Sequence, residues 1–190
     1  MAKEQSGLSA SDHKIRIVPG SPELLRQLEE RDYSFQVAPP LASADAVQAH
    51  EPSEQPYGFD ARSISGLLSG ADGAVFVALL DGRAVGFIAV KKSWNRLATV
   101  ADLAVDRSAR RRNVGRRLMD AAVAWVRDKQ LLGIRLETQG NNLPACRFYA
   151  ACGFQLGGID WLLYVATEGN DAAPALFWYL FLDQPGAGTG

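Results

Sequence analysis

Five arginines fall between positions 107 and 116, at Arg107, Arg110, Arg111, Arg112 and Arg116, and the chemistry they share is the binding of an anion. They lie between two different apolar patterns. Upstream, Val100, Leu103 and Val105 sit in a short run of small and apolar residues that predicts a largely buried strand, broken by Asp106 and Ser108. Downstream, Val114, Leu118, Ala121, Ala122, Trp125 and Val126 recur at helical spacing, with Arg116, Arg117, Asp120, Arg127 and Asp128 between them. A helix is therefore expected to begin near Asn113. First-turn N–H groups have no intrahelical partner and stand at the positive end of the helix dipole. With the arginines they favour a phosphate or pyrophosphate at one place. An arginine run can also be a solvated face or a nucleic-acid patch. The formal net charge of -1 argues against a wide basic surface for nucleic acid or anionic membrane, which leaves a compact anion site.

The elements that must position this loop follow along the chain. Residues 1–13 are polar and small and predict a disordered tail, with a second at 184–190. Residues 14–18, KIRIV, alternate as a first strand. Ser21 suits an N-cap and Pro22 a first helical turn, with Leu24, Leu25 and Leu28 on one face of a helix ending near Asp32. Residues 34–58 carry Pro39, Pro40, Pro52 and Pro56 and predict an irregular binding or disordered loop, in which His50 reads as solvated. A short helix is expected over 61–68.

Two β-rich runs, 74–80 and 84–90, flank Asp81-Gly82-Arg83, a hairpin signal. Ser93, Trp94 and Asn95 end the second run or turn it into the strand before the arginines. A strand at 133–138 and a helix at 144–151 come after the long helix. The expectation is one α+β domain over 14–183 with a mixed central sheet flanked by helices, and 190 residues at 47% hydrophobic can fill its core. No apolar run reaches bilayer length and the first residues have no signal-peptide core, so a cytoplasmic location and no membrane partner are expected. Cys146 and Cys152 read as small packing residues rather than a disulfide, and no metal site is expected.

Residues 110–115, RRRNVG, resemble the acetyl-CoA pyrophosphate loop of the GNAT acetyltransferase superfamily, whose pattern is Gln or Arg, two residues, Gly, one residue, then Gly or Ala. Arg110 and Gly115 match it, and Asn113 stands where the first Gly is expected. Asn142, Ala145 and Tyr149 also resemble that superfamily's Asn-x-x-Ala-x-x-x-Tyr signature. The resemblance implies the GNAT fold, with an opening between two central parallel strands, and acetyl-CoA as cofactor. It implies that Arg110, Arg111, Arg112, Asn113, Val114, Gly115 and Arg116 hold the pyrophosphate. Backbone groups of Leu103, Ala104 and Val105 and the side chain of Asn142 would hold the rest of the cofactor, and Tyr149 would protonate the leaving thiolate. A narrower resemblance, over about 75–182, is to the streptothricin acetyltransferases, which confer antibiotic resistance by acetylating the β-lysine amine of streptothricin.

Acetyl transfer from a thioester requires a neutral amine, whereas a lysine-like amine is mostly protonated at pH 7. A carboxylate must attract the cation, and some group must take its proton, directly or through water. Asp102 and Glu137 are the candidate catalytic carboxylates, and Asp160 joins them as a candidate for substrate contact, each with a surface charge or ion pair as its alternative. Trp94, Asn95 and Tyr164 complete the candidate substrate contacts, while Trp161, Trp178 and Tyr179 could wall the pocket or pack the core. The expected partner is a small cationic amine, with a second copy of the chain as an open possibility. Two readings stay open beside the streptothricin one: an aminoglycoside, polyamine or protein amino group as acceptor, or a non-catalytic acyl-CoA-binding module.

Overall fold

The chain enters its main sheet at β1 (Ile15–Pro19) and leaves it through α1 (Pro22–Leu28), in a computed structural model that describes residues 14–37, 53–68, 70–169 and 172–182. Ser21 caps α1, its Oγ accepting the Leu24 N–H at 3.3 Å, and Leu25 and Leu28 are buried. β2 (Phe35–Val37) and β3 (Ser53–Gln55) then pair antiparallel as a small sheet of their own. This corrects the irregular segment expected over 34–58, because strands of three residues are too short to show alternation. His50, the prolines at 39, 40 and 52, and the tails at 1–13 and 184–190 lie outside the described residues. Gly66 ends α2 (Ala61–Ser65) earlier than the expected 68.

β4 (Gly73–Leu80) and β5 (Arg83–Lys92) form the hairpin that Asp81-Gly82 predicts, with both turn residues at positive φ, 50° and 84°. β6 (Leu97–Val105) pairs antiparallel with β5 and runs into a 3-10 turn, Arg107–Ala109, and then α3 (Val114–Asp128). β7 (Gly133–Gln139), α4 (Leu143–Ala151), β8 (Gln155–Asp160), α5 (Val165–Glu168) and β9 (Ala175–Phe181) complete the chain. β8 and β9 were not marked by alternation: Gly157 and Gly158 interrupt the first, and the second, ALFWYLF, is continuously apolar.

The seven-stranded sheet has the order β1-β4-β5-β6-β7-β9-β8, and β6–β7 is its parallel pair, at the centre. This is the expected mixed α+β architecture. Val114, Leu118, Met119, Ala122 and Val126 bury one stripe of α3 against one face of the sheet, together with Tyr149 of α4 and Trp178 of β9. Leu25, Leu28, Ile64, Val77 and Phe87 cover the other face, below α1 and α2. Full burial of such aliphatic side chains stabilises by about 1.5–3 kcal/mol each, so the two cores hold the strands on which the site depends.

Candidate active site

The parallel pair is short. Only Leu97, Ala98 and Thr99 of β6 register with Gly133, Ile134 and Arg135 of β7, and beyond them the strands part. A cavity of about 920 Å³ occupies the gap, with residues 100–105 of β6 on one wall and 136–139 of β7 on the other. That volume suits an extended small-molecule ligand. The β6–β5 register slips here: Ala89 faces Asp102 while Val90 faces Val100, so Ala101 is an extra residue. A bulge of this kind re-aims the side chains beside it, and Asp102 lines the cavity.

At one end of the cavity lies the opening of α3. Asn113 adopts φ 61°, a left-handed conformation, and makes no side-chain cap, so the first-turn N–H groups stay open towards the cavity. A Cβ on Gly115 would come within 3.3 Å of the Phe148 ring, and glycine therefore lets α3 sit close to α4. The arginines divide by role. Arg110 donates from Nε to the Val105 carbonyl at 3.1 Å and from an Nη to the Tyr33 carbonyl at 3.0 Å, and Arg107 pairs with Glu54. These two hold the loop to β6, to the approach to β2, and to β3. Arg116 pairs with Asp120 at 3.2 Å and reaches the Ala151 carbonyl. Arg110, Arg111 and Arg116 all line the cavity, whereas the exposed Arg112 is not among its lining residues. Open helix N–H groups, a left-handed turn and three lining arginines, of which Arg110 is already engaged by two backbone carbonyls, form a donor set that fits a pyrophosphate.

The other part of the cavity is acidic and aromatic. Asp102 Oδ1 accepts a 2.6 Å hydrogen bond from Tyr57 Oη, and Glu137 Oε1 accepts one from Tyr164 Oη. Burial is the largest influence on Asp102 and raises its carboxyl above the usual range, while the Tyr57 hydrogen bond pulls it back. Tyr149, buried on α4, lines the same space, and no hydrogen bond of its hydroxyl is found among the described residues. Burial first, then the charges of Asp102 and Glu137, push its phenol up, so the proton stays on Oη at neutral pH. Asn142 lines the cavity while its Oδ1 caps α4 through the Ala145 N–H at 3.1 Å.

Three candidate substrate contacts are placed elsewhere. Trp94 is 94% exposed, in the β5–β6 turn, where Asn95 Oδ1 accepts the Leu97 N–H. Five residue steps along the strand separate Leu97 from Asp102, about 17 Å. Asp160 Oδ1 accepts the N–H groups of Leu162 and Leu163, at 2.8 and 3.1 Å, and so closes the turn that presents Tyr164. None of the three is among the residues lining the cavity. Trp178 packs in the core, Tyr179 stacks on Phe181, and Trp161 is 60% exposed. The wall absent from the sequence reading is Tyr33, Phe35, Gln55 and Tyr57. Its one sequence signal was the presence of aromatic residues at the ends of a proline-rich stretch. Among the described residues no group of three or more His, Cys, Asp or Glu is placed to hold a metal ion.

Comparison with known proteins gives this geometry relatives. A family model described as acetyltransferase (GNAT) family matches residues 24–154. A streptothricin acetyltransferase of Escherichia coli is 42% identical over 113 residues, which are 60% of this chain and 65% of that protein. Streptothricin acetyltransferase A of Bacillus subtilis (strain 168) is 36% identical over 107 residues, 56% of this chain and 61% of that protein. Both matches thus span less than two thirds of the curated relatives' own length. Among solved structures, a protein from Bacillus anthracis str. Ames, described as a candidate streptothricin acetyltransferase in complex with acetyl coenzyme A, superposes with a TM-score of 0.74 at 32% identity. That superposition covers 90% of this chain and 99% of the other.

Proposed function

Because the chain belongs to the GNAT acetyltransferase family, we propose that it transfers the acetyl group of acetyl-CoA to an amine of a streptothricin-type antibiotic, on its β-lysine moiety, and so confers resistance. The observation that carries this reading is a single cavity with an anion-binding helix start at one end and a tyrosine–carboxylate cluster at the other. Acetyl-CoA supplies an activated thioester when bound. Its pyrophosphate would be held by the first turn of α3 with Arg111 and Arg116, and its pantetheine by the edge of β6 beyond Thr99 that β7 leaves unpaired.

The chain's own residues perform the rest. Asp102 and Glu137 attract the substrate ammonium and offer oxygens to take its proton, directly or through water, leaving the neutral amine that attacks. Leu103, Ala104 and Val105 line the cavity, and the N–H groups among them on the strand edge turned away from β5 would offer donors to a developing oxyanion. Tyr149 keeps a proton on Oη and offers it to the departing sulfur. The two carboxylates that raise the Tyr149 phenol are those the cationic substrate would offset. Substrate binding therefore offsets the carboxylate part of that rise, while burial, its largest cause, remains.

The experiment is release of free thiol from acetyl-CoA by purified protein, with streptothricin beside an aminoglycoside, spermidine and a lysine peptide. Turnover with streptothricin alone supports the reading. Turnover only with another amine keeps the chemistry and discards the antibiotic. Silence with every amine, alongside acetyl-CoA binding, points to a non-catalytic module.

A further inference from the structure

We propose, resting on the amine-acetylation reading, that Tyr57 is the positioning residue for the acceptor amine: it fixes the Asp102 carboxylate from across the cavity and marks the β2–β3 side as the acceptor wall. The hydrogen bond joins positions 45 apart in sequence. Asp102 stands on the main sheet, whereas Tyr57 follows β3, in the small sheet that pairs only with itself. Two anchors hold that sheet in place. Glu54 of β3 pairs with Arg107 and accepts from Ser34 Oγ at 2.7 Å, and the Tyr33 hydroxyl donates to the Leu28 carbonyl at 3.0 Å. Phe59, two residues beyond Tyr57, packs on Phe87 with ring centroids 4.4 Å apart. The chain around Tyr57 is thus fixed on both sides.

A carboxylate at a bulge, with no side-chain partner on its own strand, could turn about its Cα–Cβ bond. Tyr57 removes that freedom by occupying Oδ1, beside the backbone N–H of Leu103 that also bears on the carboxylate, and leaves Oδ2 without a side-chain partner among the described residues. Oδ2 is therefore the atom left to receive an ammonium. The titratable groups facing Asp102 are Tyr57 beside β3, Tyr149 on α4, Glu137 on β7 and Tyr33 before β2. None of the four is a cation, so the donated phenolic hydrogen, together with the Leu103 backbone N–H, is what works against burial at the Asp102 carboxyl. Tyr164 stands in the same relation to Glu137, which supplies an internal contrast.

The test is Tyr57→Phe, which keeps the ring and removes the donor. Loss of a hydrogen bond to a charged group predicts a rise in acceptor KM of about tenfold, with the KM and Kd for acetyl-CoA within twofold of the parent. The acid limb of kcat/KM for the amine shifts to higher pH, because Asp102 must be ionised to bind the cation and now ionises less readily. Carboxyl-carbon NMR titration of Asp102, which needs no turnover, shows the same upward shift in Y57F and none in Y164F. An unmoved Asp102 titration overturns the positioning role, whether or not the protein is active. A parent enzyme that turns over no amine overturns the acetylation reading instead, and the titration still decides the role of Tyr57.

Discussion

Asn113 does at one position what the family pattern assigns to glycine. Its φ of 61° lies in the left-handed region that glycine enters freely and asparagine tolerates better than most other residues. Asn113→Gly should relieve that cost and clear a side chain from the approach to the α3 N-terminus, so acetyl-CoA should bind more tightly by calorimetry; equal or weaker binding contradicts this. Tyr149→Phe removes the proton on Oη and leaves the ring in its packing, so kcat should fall about 100-fold while acetyl-CoA binding survives. Asp102 predicts opposite signs for stability and function. Its carboxyl is raised by burial, so the folded state holds the proton more firmly than the unfolded chain. Stability therefore falls as pH rises from the ordinary carboxylate range through the raised value, and is lower at pH 7 than it would be without the charge. Asp102→Asn should raise Tm at pH 7 and lower kcat/KM for the amine, whereas a drop in both would assign the residue to the scaffold.

Elements decide which arginine does what. Arg110 is a strut between β6 and the approach to β2, so Arg110→Gln leaves two backbone carbonyls without their donor and should destabilise the fold by about 1–3 kcal/mol. Arg111 lines the cavity with no ion pair among the described residues, so Arg111→Gln should leave Tm unchanged and weaken acetyl-CoA binding several-fold, most at low salt. Thermal melts beside calorimetry at two ionic strengths separate the two roles. The strand, arginine loop and long helix were legible because a run of small and apolar residues gives way to a period of 3.6 beyond Asp106, and α3 begins at Val114, one residue past the expected start. The division of labour among the arginines was not legible, because it depends on carbonyls 5 and 77 positions away. Tyr57 was hidden for the same reason: its partner lies 45 residues on, and the strand before it has three residues. Trp94 illustrates the converse, since an aromatic beside a strand end reads as a pocket wall until the turn places it in solvent.

At the scale of the molecule, the sheet is continuous except where function needs it open. Antiparallel neighbours hold β6 on one side and β7 on the other, and their own pairing stops after three registers. α3 and α4 pack on one face of the sheet and put the uncapped start of α3 and Tyr149 beside that gap, while the β2–β3 pair adds the remaining wall. The mixed sheet order was legible as a family resemblance; β8 and β9, which brace β7, were not, because glycines and a continuous apolar run conceal alternation. The most direct measurement of the central claim is mass spectrometry of streptothricin after incubation with the protein and acetyl-CoA. The prediction is a product heavier by one acetyl group, carried on the β-lysine moiety, in step with thiol release and strongly reduced with Tyr149→Phe. Unmodified streptothricin, under conditions where acetyl-CoA binds, would contradict it.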